Sequence, residues 1–418
     1  MPESVSIERS NRTSTSKSRL DSRLKPAGND ELFEAKVNDP SFHASGGSRK
    51  LRGYYGRAVL IHFTTTMERA NVLIIPQVPD AVLDRITKSD ARIDIIDARG
   101  WFDGELRSTW PQWTVDRYLG NRKYPSTTLD QRNRALAEAE IILLGWPPVK
   151  DLRSRAPRLR WVHQTPAGAS NLFDTDLWCS DVLVTTSRGL TNKRPMAEYV
   201  LGAFLHFSRG FHLGYRDQWQ HRFDHRTYEP IILRDKTVCI LGAGGIGQEV
   251  AKLCAAAGMR VVGTRRSAVR DQHLPAGFAR LESQHALNEL LQESDFVAMT
   301  CPWTKETTHL IGRDAFSALR PGAVLVNISR GEIIDEEALL AALEEDKLRG
   351  VALDVYEGEF ERPPDRRLWD HERVLITPHV SAVSDVSEHQ GISLFCENLA
   401  RYLTGRPLEN VVDWQRGY

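Results

Sequence analysis

The chain has 418 residues, too many for one small core and enough for two domains and a tail, and it carries 55 Lys+Arg against 55 Asp+Glu. That zero formal charge gives no basic face for nucleic acid and no bias toward a membrane surface. Five scattered cysteines (Cys179, Cys239, Cys254, Cys301, Cys396), mostly in apolar runs, fit buried thiols in a reducing compartment better than a disulfide framework or a metal site. No run approaches the ~20 apolar residues of a membrane span, and no apolar signal core opens the chain, so a soluble cytoplasmic protein is expected.

Residues 1–55 are rich in Ser, Arg, Asn and Gly and poor in branched apolar side chains, so they are expected to stay disordered. An α/β pattern follows from about residue 56. Apolar runs at Ala58 to Phe63, Val72 to Ile75, Ile93 to Ile96, Ile141 to Leu144, Trp161 to Gln164 and Val182 to Thr185 predict strands. Helices are expected between some of them, at Leu129 to Glu140 and Val149 to Arg155. The stretch Gly100 to Thr128, with Trp101, Trp110 and Trp113, has no clear period; it reads as a long loop over a satellite core, with a dimer contact or a lid as the rival readings. Met196 to Arg209 is apolar at helical spacing and leads from this first unit into a second.

The second unit opens on Thr237 to Leu241, a short buried strand, followed by Gly242-Ala243-Gly244-Gly245-Ile246-Gly247 and a helix ending near Gly258. That is a G-x-G-x-x-G turn in its full strand-turn-helix setting, which presents free N–H groups to a dinucleotide pyrophosphate. Gly242 permits the turn, Gly244 the close approach and Gly247 the packing of helix on strand. After the next strand, Arg260 to Thr264, an acidic residue would normally hold the ribose hydroxyls; here Arg265, Arg266 and Ser267 stand instead. Two guanidinium groups suit a 2′-phosphate, so NADP is favoured over NAD. Further strands are expected at Phe296 to Thr300, Ala323 to Ile328, Gly350 to Val355 and Val374 to Thr377, with helices at Ala286 to Gln292 and Glu336 to Glu345. The whole reads as two doubly wound parallel-sheet domains, the second of them a Rossmann cofactor domain.

Ligands of such sheets bind beyond the carboxyl ends of the strands. Arg330, Glu359 and His379 all fall at such ends. Reducing a 2-keto acid needs a cation for the carboxylate and a proton donor for the developing alkoxide. Arginine offers a rigid fork for the first task, and histidine titrates in the right range for the second. A carboxylate beside that histidine would fix its tautomer and favour its charged form. Taken singly, each of these residues is more often an ordinary cap, surface charge or turn residue; their joint placement argues otherwise.

Asn327-Ile328-Ser329-Arg330-Gly331-Glu332-Ile333-Ile334-Asp335, Leu353-Asp354-Val355-Tyr356-Glu357-Gly358-Glu359 and Ile376-Thr377-Pro378-His379 resemble the three signature blocks of the D-isomer-specific 2-hydroxyacid dehydrogenases. The similarity runs from about Leu144 to Asp413 and includes the loop Cys301 to Thr307 and the closing segment Asn398 to Val412. The resemblance implies Arg330 as the substrate-binding arginine, Glu359 as the partner carboxylate and His379 as the acid/base, with Glu357 a less well spaced competitor. It implies that Pro302, Thr307, Ile328, Ser329 and Asp354 line the cofactor and that the backbone of Ala167 and Gly168 takes the substrate carboxylate. It also implies a flavodoxin-like substrate domain of residues 56–194 completed by 382–418, a cofactor domain of 195–381, and a homodimer.

Several departures refine the expectation. Val380-Ser381-Ala382-Val383 stands where the family usually has glycines, so packing on the nicotinamide side should differ. Formate dehydrogenases of the family lack the glutamate, which speaks against that activity. The stretch after His379 is too short for the regulatory domain of many phosphoglycerate dehydrogenases, and Gly145-Trp146-Pro147-Pro148 offers no cation for a phosphate. A small 2-keto acid, glyoxylate or hydroxypyruvate, is therefore the expected substrate. The alternative is a cofactor-sensing interaction protein similar to the C-terminal-binding-protein corepressors, to which the polar tail and the tryptophan-rich stretch would be suited.

Overall fold

The computed structural model describes residues 69–189, 193–266, 274–385 and 388–418. The tail 1–55, the expected strand Ala58 to Phe63 and Ser267 lie outside these residues.

Five parallel strands build the first sheet: β1 (Ala70–Ile74), β2 (Ile93–Asp97), β3 (Ile141–Leu144), β4 (Trp161–Gln164) and β5 (Leu183–Thr186), in the order β2-β1-β3-β4-β5. Every residue of β3 and β4 is buried, because helices cover both faces; the sequence accordingly shows continuous apolar runs with no alternation. The helix Leu129–Glu138 enters this layer through a capping box, in which the Thr128 hydroxyl accepts from Gln131 N–H and the Gln131 side chain accepts from Thr128 N–H. The helix Glu388–Leu403 comes from the far end of the chain and lies on this sheet, with Ile392, Phe395, Leu399 and Leu403 in one core with Val72, Ile74, Ile141 and Trp161.

Seven parallel strands form the second sheet: β6 (Thr237–Leu241), β7 (Arg260–Thr264), β8 (Arg280–Glu282), β9 (Phe296–Met299), β10 (Ala323–Asn327), β11 (Leu348–Leu353) and β12 (Val374–Ile376), ordered β12-β11-β10-β9-β6-β7-β8. This is the doubly wound order of a dinucleotide-binding sheet, whose direction of winding reverses between β6 and β9. The helix Lys193–Ser208 packs Val200, Phe204 and Phe207 against Val250, Ala251 and Cys254 of the helix Gly245–Ala256. Its Phe207 also explains Gly350: a Cβ there would come within 2.1 Å of the ring.

Three features depart from the sequence reading. The stretch Gly100 to Thr128 is largely helical, with Asp103–Thr109, Gln112–Thr114 and a π-helical turn Val115–Leu119. Trp101 and Trp110 pack on the main core of the first sheet. Strand β8 and the helix Phe211–Trp219 carry too few inward apolar residues to announce themselves. Cys179, expected among the buried thiols, is exposed.

Candidate active site

Strands β10, β11 and β12 are parallel neighbours, so the loops at their carboxyl ends open along one edge of the sheet. Arg330 follows β10, Glu359 follows β11 and His379 follows β12. Gly331 lets the first two loops touch. A Cβ at Gly331 would lie 1.8 Å from the Tyr356 carbonyl carbon, a contact no other residue can make.

Asp354 fixes the third loop. It is buried, and its carboxylate accepts from Thr377 Oγ1 at 2.6 Å, Val380 N–H at 2.8 Å and Ser381 N–H at 2.9 Å. The residue aligned by resemblance with a cofactor contact is thus the anchor of the histidine loop. His379 itself sits at φ +55° with its N–H donating to the Asp354 carbonyl at 2.9 Å. Histidine enters that left-handed region more readily than most side chains, and the bonds to Asp354 hold it there. The enforced geometry puts His379 Nδ1 2.9 Å from Glu359 Oε1. Glu359 is 2% exposed and the His379 side chain 27%, so a buried carboxylate orients an imidazole that stays accessible. Glu357 faces His309 instead, at 3.4 Å.

Arg330 reaches across to the first sheet. Its Nε and Nη2 donate to Ser170 Oγ at 3.2 Å and Asn171 Oδ1 at 3.1 Å, and Nη1 donates to the Ser329 carbonyl at 2.7 Å. The guanidinium lies so close to Gly168 that a Cβ there would come within 1.8 Å of Nη2. Among the described residues, no acceptor faces the N–H groups of Ala167 and Gly168. Free amide donors beside a guanidinium form a receptor for a carboxylate.

The glycine-rich turn fits a pyrophosphate. Gly242 has φ +102°, and a Cβ there would come within 2.8 Å of the Cys301 backbone. At Gly247 a Cβ would meet the Gly242 carbonyl oxygen at 2.1 Å, whereas at Gly244 it would meet nothing within 4 Å among the described residues. The cradle is therefore open where an anion approaches and closed where helix meets strand. Gly245 and Ile246 begin the helix Gly245–Ala256, whose first N–H groups lack intrahelical partners. Ile328 and Ser329 are buried on the same edge, and Ser329 Oγ has no partner among the described residues. Thr307 Oγ1 donates to the Pro302 carbonyl at 2.9 Å and accepts from Thr304 N–H at 2.8 Å, which shapes that loop. Arg265 and Arg266 are exposed just past β7, with Arg265 N–H donating to the Glu282 carbonyl at 2.8 Å.

Sequence reasoning missed a third contributor. The stretch between β2 and β3 delivers Trp113, Thr114, Arg117 and Tyr118 to the Glu359 loop: Trp113 Nε1 donates to the Glu359 carbonyl at 2.9 Å, and the Thr114 hydroxyl donates to the Phe360 carbonyl. Trp146 lies 4.6 Å from Phe360 and 6.0 Å from Tyr118, ring centre to ring centre, and Phe360 lies 6.5 Å from the His379 ring. Burial, then the charge of Glu359, pushes the Tyr118 phenol well above its ordinary value. The only signal in the sequence was the density of aromatic and basic residues in a stretch without period. A surface cavity of about 490 Å³ lined by Gln284, His309, Arg313 and Asp335 shares no residue with this cleft.

Two doubly wound parallel sheets, a glycine-rich anion cradle and an Arg, Glu and His set at their junction define a two-domain dinucleotide-dependent dehydrogenase. Residues 201–381 match the family model described as D-isomer specific 2-hydroxyacid dehydrogenase, NAD binding domain. A glyoxylate reductase of Aeropyrum pernix is 33% identical over 273 residues, which cover 63% of this chain and 79% of that one. A D-3-phosphoglycerate dehydrogenase of Methanocaldococcus jannaschii is 29% identical over 280 residues, 66% of this chain, which spans only about half (52%) of that relative. Among solved structures, the NADPH-dependent glyoxylate/hydroxypyruvate reductase of Sinorhizobium meliloti, in complex with NADP and sulfate, matches with TM-score 0.65 and 25% identity, covering 84% of this chain and all of that one. The chain belongs to the D-isomer-specific 2-hydroxyacid dehydrogenase family, oxidoreductases that act on CH–OH donors with NAD(P).

Proposed function

We propose that the chain is an NADPH-preferring reductase of a small 2-keto acid, with glyoxylate or hydroxypyruvate as substrate. The observation that carries the reading is the buried Glu359 carboxylate 2.9 Å from His379 Nδ1, with Arg330 lodged against Gly168. Arg330 and the amides of Ala167 and Gly168 hold the substrate carboxylate. With Nδ1–H directed at Glu359, the charged imidazole offers its Nε2 proton to the carbonyl oxygen, and Arg330 offsets the growing negative charge. The bound nicotinamide supplies the hydride. Trp146, Tyr118 and Phe360 wall the side facing the substituent, which favours a small group there. The exposed Arg265 and Arg266 suit a 2′-phosphate, and the S. meliloti relative is itself described as NADPH-dependent. We also assign the protein a homodimeric state, built through the cofactor domain.

The test is a side-by-side measurement of kcat/KM for glyoxylate, hydroxypyruvate and pyruvate with NADPH and NADH. The expected result is fastest turnover of glyoxylate or hydroxypyruvate with NADPH, lowered by ~10²–10⁴ in His379→Gln while cofactor binding persists. Cofactor binding without turnover of any keto acid would overturn the enzymatic reading. A strong NADH preference would overturn the roles given to Arg265 and Arg266.

A further inference from the structure

The stretch between β2 and β3 belongs by connectivity to the first sheet, yet its inner edge ends on a loop of the second. Besides the Trp113 and Thr114 contacts, Arg117 Nη1 lies 3.5 Å from the Glu359 carbonyl oxygen and 3.8 Å from Glu359 Oε2. Glu359 is 2% exposed; His379 occupies Oε1, and Oε2 has no hydrogen-bond donor among the described residues. A buried carboxylate oxygen without a donor is costly, and the Arg117 guanidinium, only 16% exposed, is the cation set against it. The π-helical turn Val115–Leu119, closed by Gly120 N–H on the Val115 carbonyl at 3.0 Å, gives Arg117 its place. Turns of this kind frequently mark functional sites.

We propose that Arg117 is a positioning residue, which holds the Glu359 carboxylate from across the cleft and sets how firmly the Glu359 and His379 pair keeps its proton. The proposal rests on the acid/base reading of that pair. A cation beside the carboxylate competes with the imidazolium for the same negative charge and repels it. Removing the cation should let the imidazolium beside the carboxylate hold its proton to higher pH. The other titratable groups facing Glu359 stay in place: the phenols of Tyr118 and Tyr356 and the Glu332 carboxylate, with the Arg330 guanidinium set against Tyr118 and Glu332.

The test is the pH dependence of kcat for glyoxylate reduction by NADPH in the full chain, for the wild type, Arg117→Gln, Arg117→Lys and Trp113→Phe. Arg117→Met, which keeps the apolar stem, runs in parallel in case the glutamine variant does not fold. Reduction needs the protonated pair, so the alkaline limb should move up by about one pH unit in Arg117→Gln or Arg117→Met. Arg117→Lys should restore most of the wild-type midpoint. Trp113→Phe, which loses the bond to the Glu359 carbonyl and the contact with the Tyr356 phenol but no charge, should lower the rate without moving the limb. An unmoved limb in the neutral variants, whatever their rate, would overturn the proposal and leave Arg117 a purely structural brace. His379→Gln separates the two readings: turnover retained there would bring down the acid/base reading and this proposal with it. Turnover lost there, with an unmoved limb in Arg117→Gln, would bring down this proposal alone.

Discussion

Gly168 and Gly331 look alike in the sequence, and the structure separates them by what a methyl group would strike. At Gly168 the obstacle is Arg330 Nη2, the far end of a flexible side chain; at Gly331 it is the Tyr356 backbone. Gly168→Ala should therefore leave the fold nearly intact and push Arg330 out of register with the Ala167 and Gly168 amides. We expect kcat/KM for the keto acid to fall by roughly two orders of magnitude, carried largely by KM, with the melting temperature within a few degrees of wild type. Gly331→Ala, measured alongside, should lose thermal stability as well as activity. Equal melting losses in both variants would sink the distinction. Arg330, Glu359 and His379 were legible because each belongs to a local block with its own spacing. Arg117, Tyr118 and Phe360 were not, because their value lies in meeting across the cleft, and no local period records that.

At the scale of elements, the buried strands were legible, since a strand covered on both faces leaves an unbroken apolar run. Strand β8 is three residues with one buried, and the helices after Gly100 are too short to complete an amphipathic repeat. The packing of β4 on the helix Glu388–Leu403 buries something that binary patterning does not foresee, the fully buried His163, 5.4 Å ring to ring from Phe395. Trp161 Nε1 donates to Thr185 Oγ1 at 2.9 Å, and His163 Nδ1 shares a hydrogen bond with the same hydroxyl at 2.8 Å. Burial pushes the imidazole down from 6.5 to about 4. The folded state then binds the proton less readily than the unfolded chain. The stability held by the neutral ring is complete above pH 6.5 and is lost as pH falls toward 4, by on the order of 3 kcal/mol. His163→Asn keeps a hydrogen-bond partner for Thr185 and cannot titrate. Its melting temperature should start lower at pH 7.5 and fall less between pH 7.5 and 5 than that of the wild type. Parallel declines in the two proteins would show that His163 does not carry this dependence.

On the scale of the whole molecule, a group of large exposed apolar side chains lies on and just after the helix Phe211–Trp219. The helix Phe211–Trp219 turns Phe211, Tyr215 and Trp219 outward, Trp219 being 86% exposed, and Phe223 and Ile232 of the following loop are exposed beside it. Five large apolar side chains exposed within one stretch of the chain suit an interface better than open water. The formal charge of zero also gives two copies no net repulsion to overcome. For the homodimer proposed above, a second copy of the same stretch would match apolar surface with apolar surface under twofold symmetry, which needs only one patch to be self-complementary. The protein should therefore sediment at about twice its 47.3 kDa chain mass at micromolar concentration. Trp219→Glu combined with Phe223→Glu would place charges in the middle of the joint and should yield monomers that still bind NADPH, because neither residue reaches the cleft. Sedimentation of the wild type as a monomer across that range, or of the double variant as an unchanged dimer, would move the joint elsewhere or remove it.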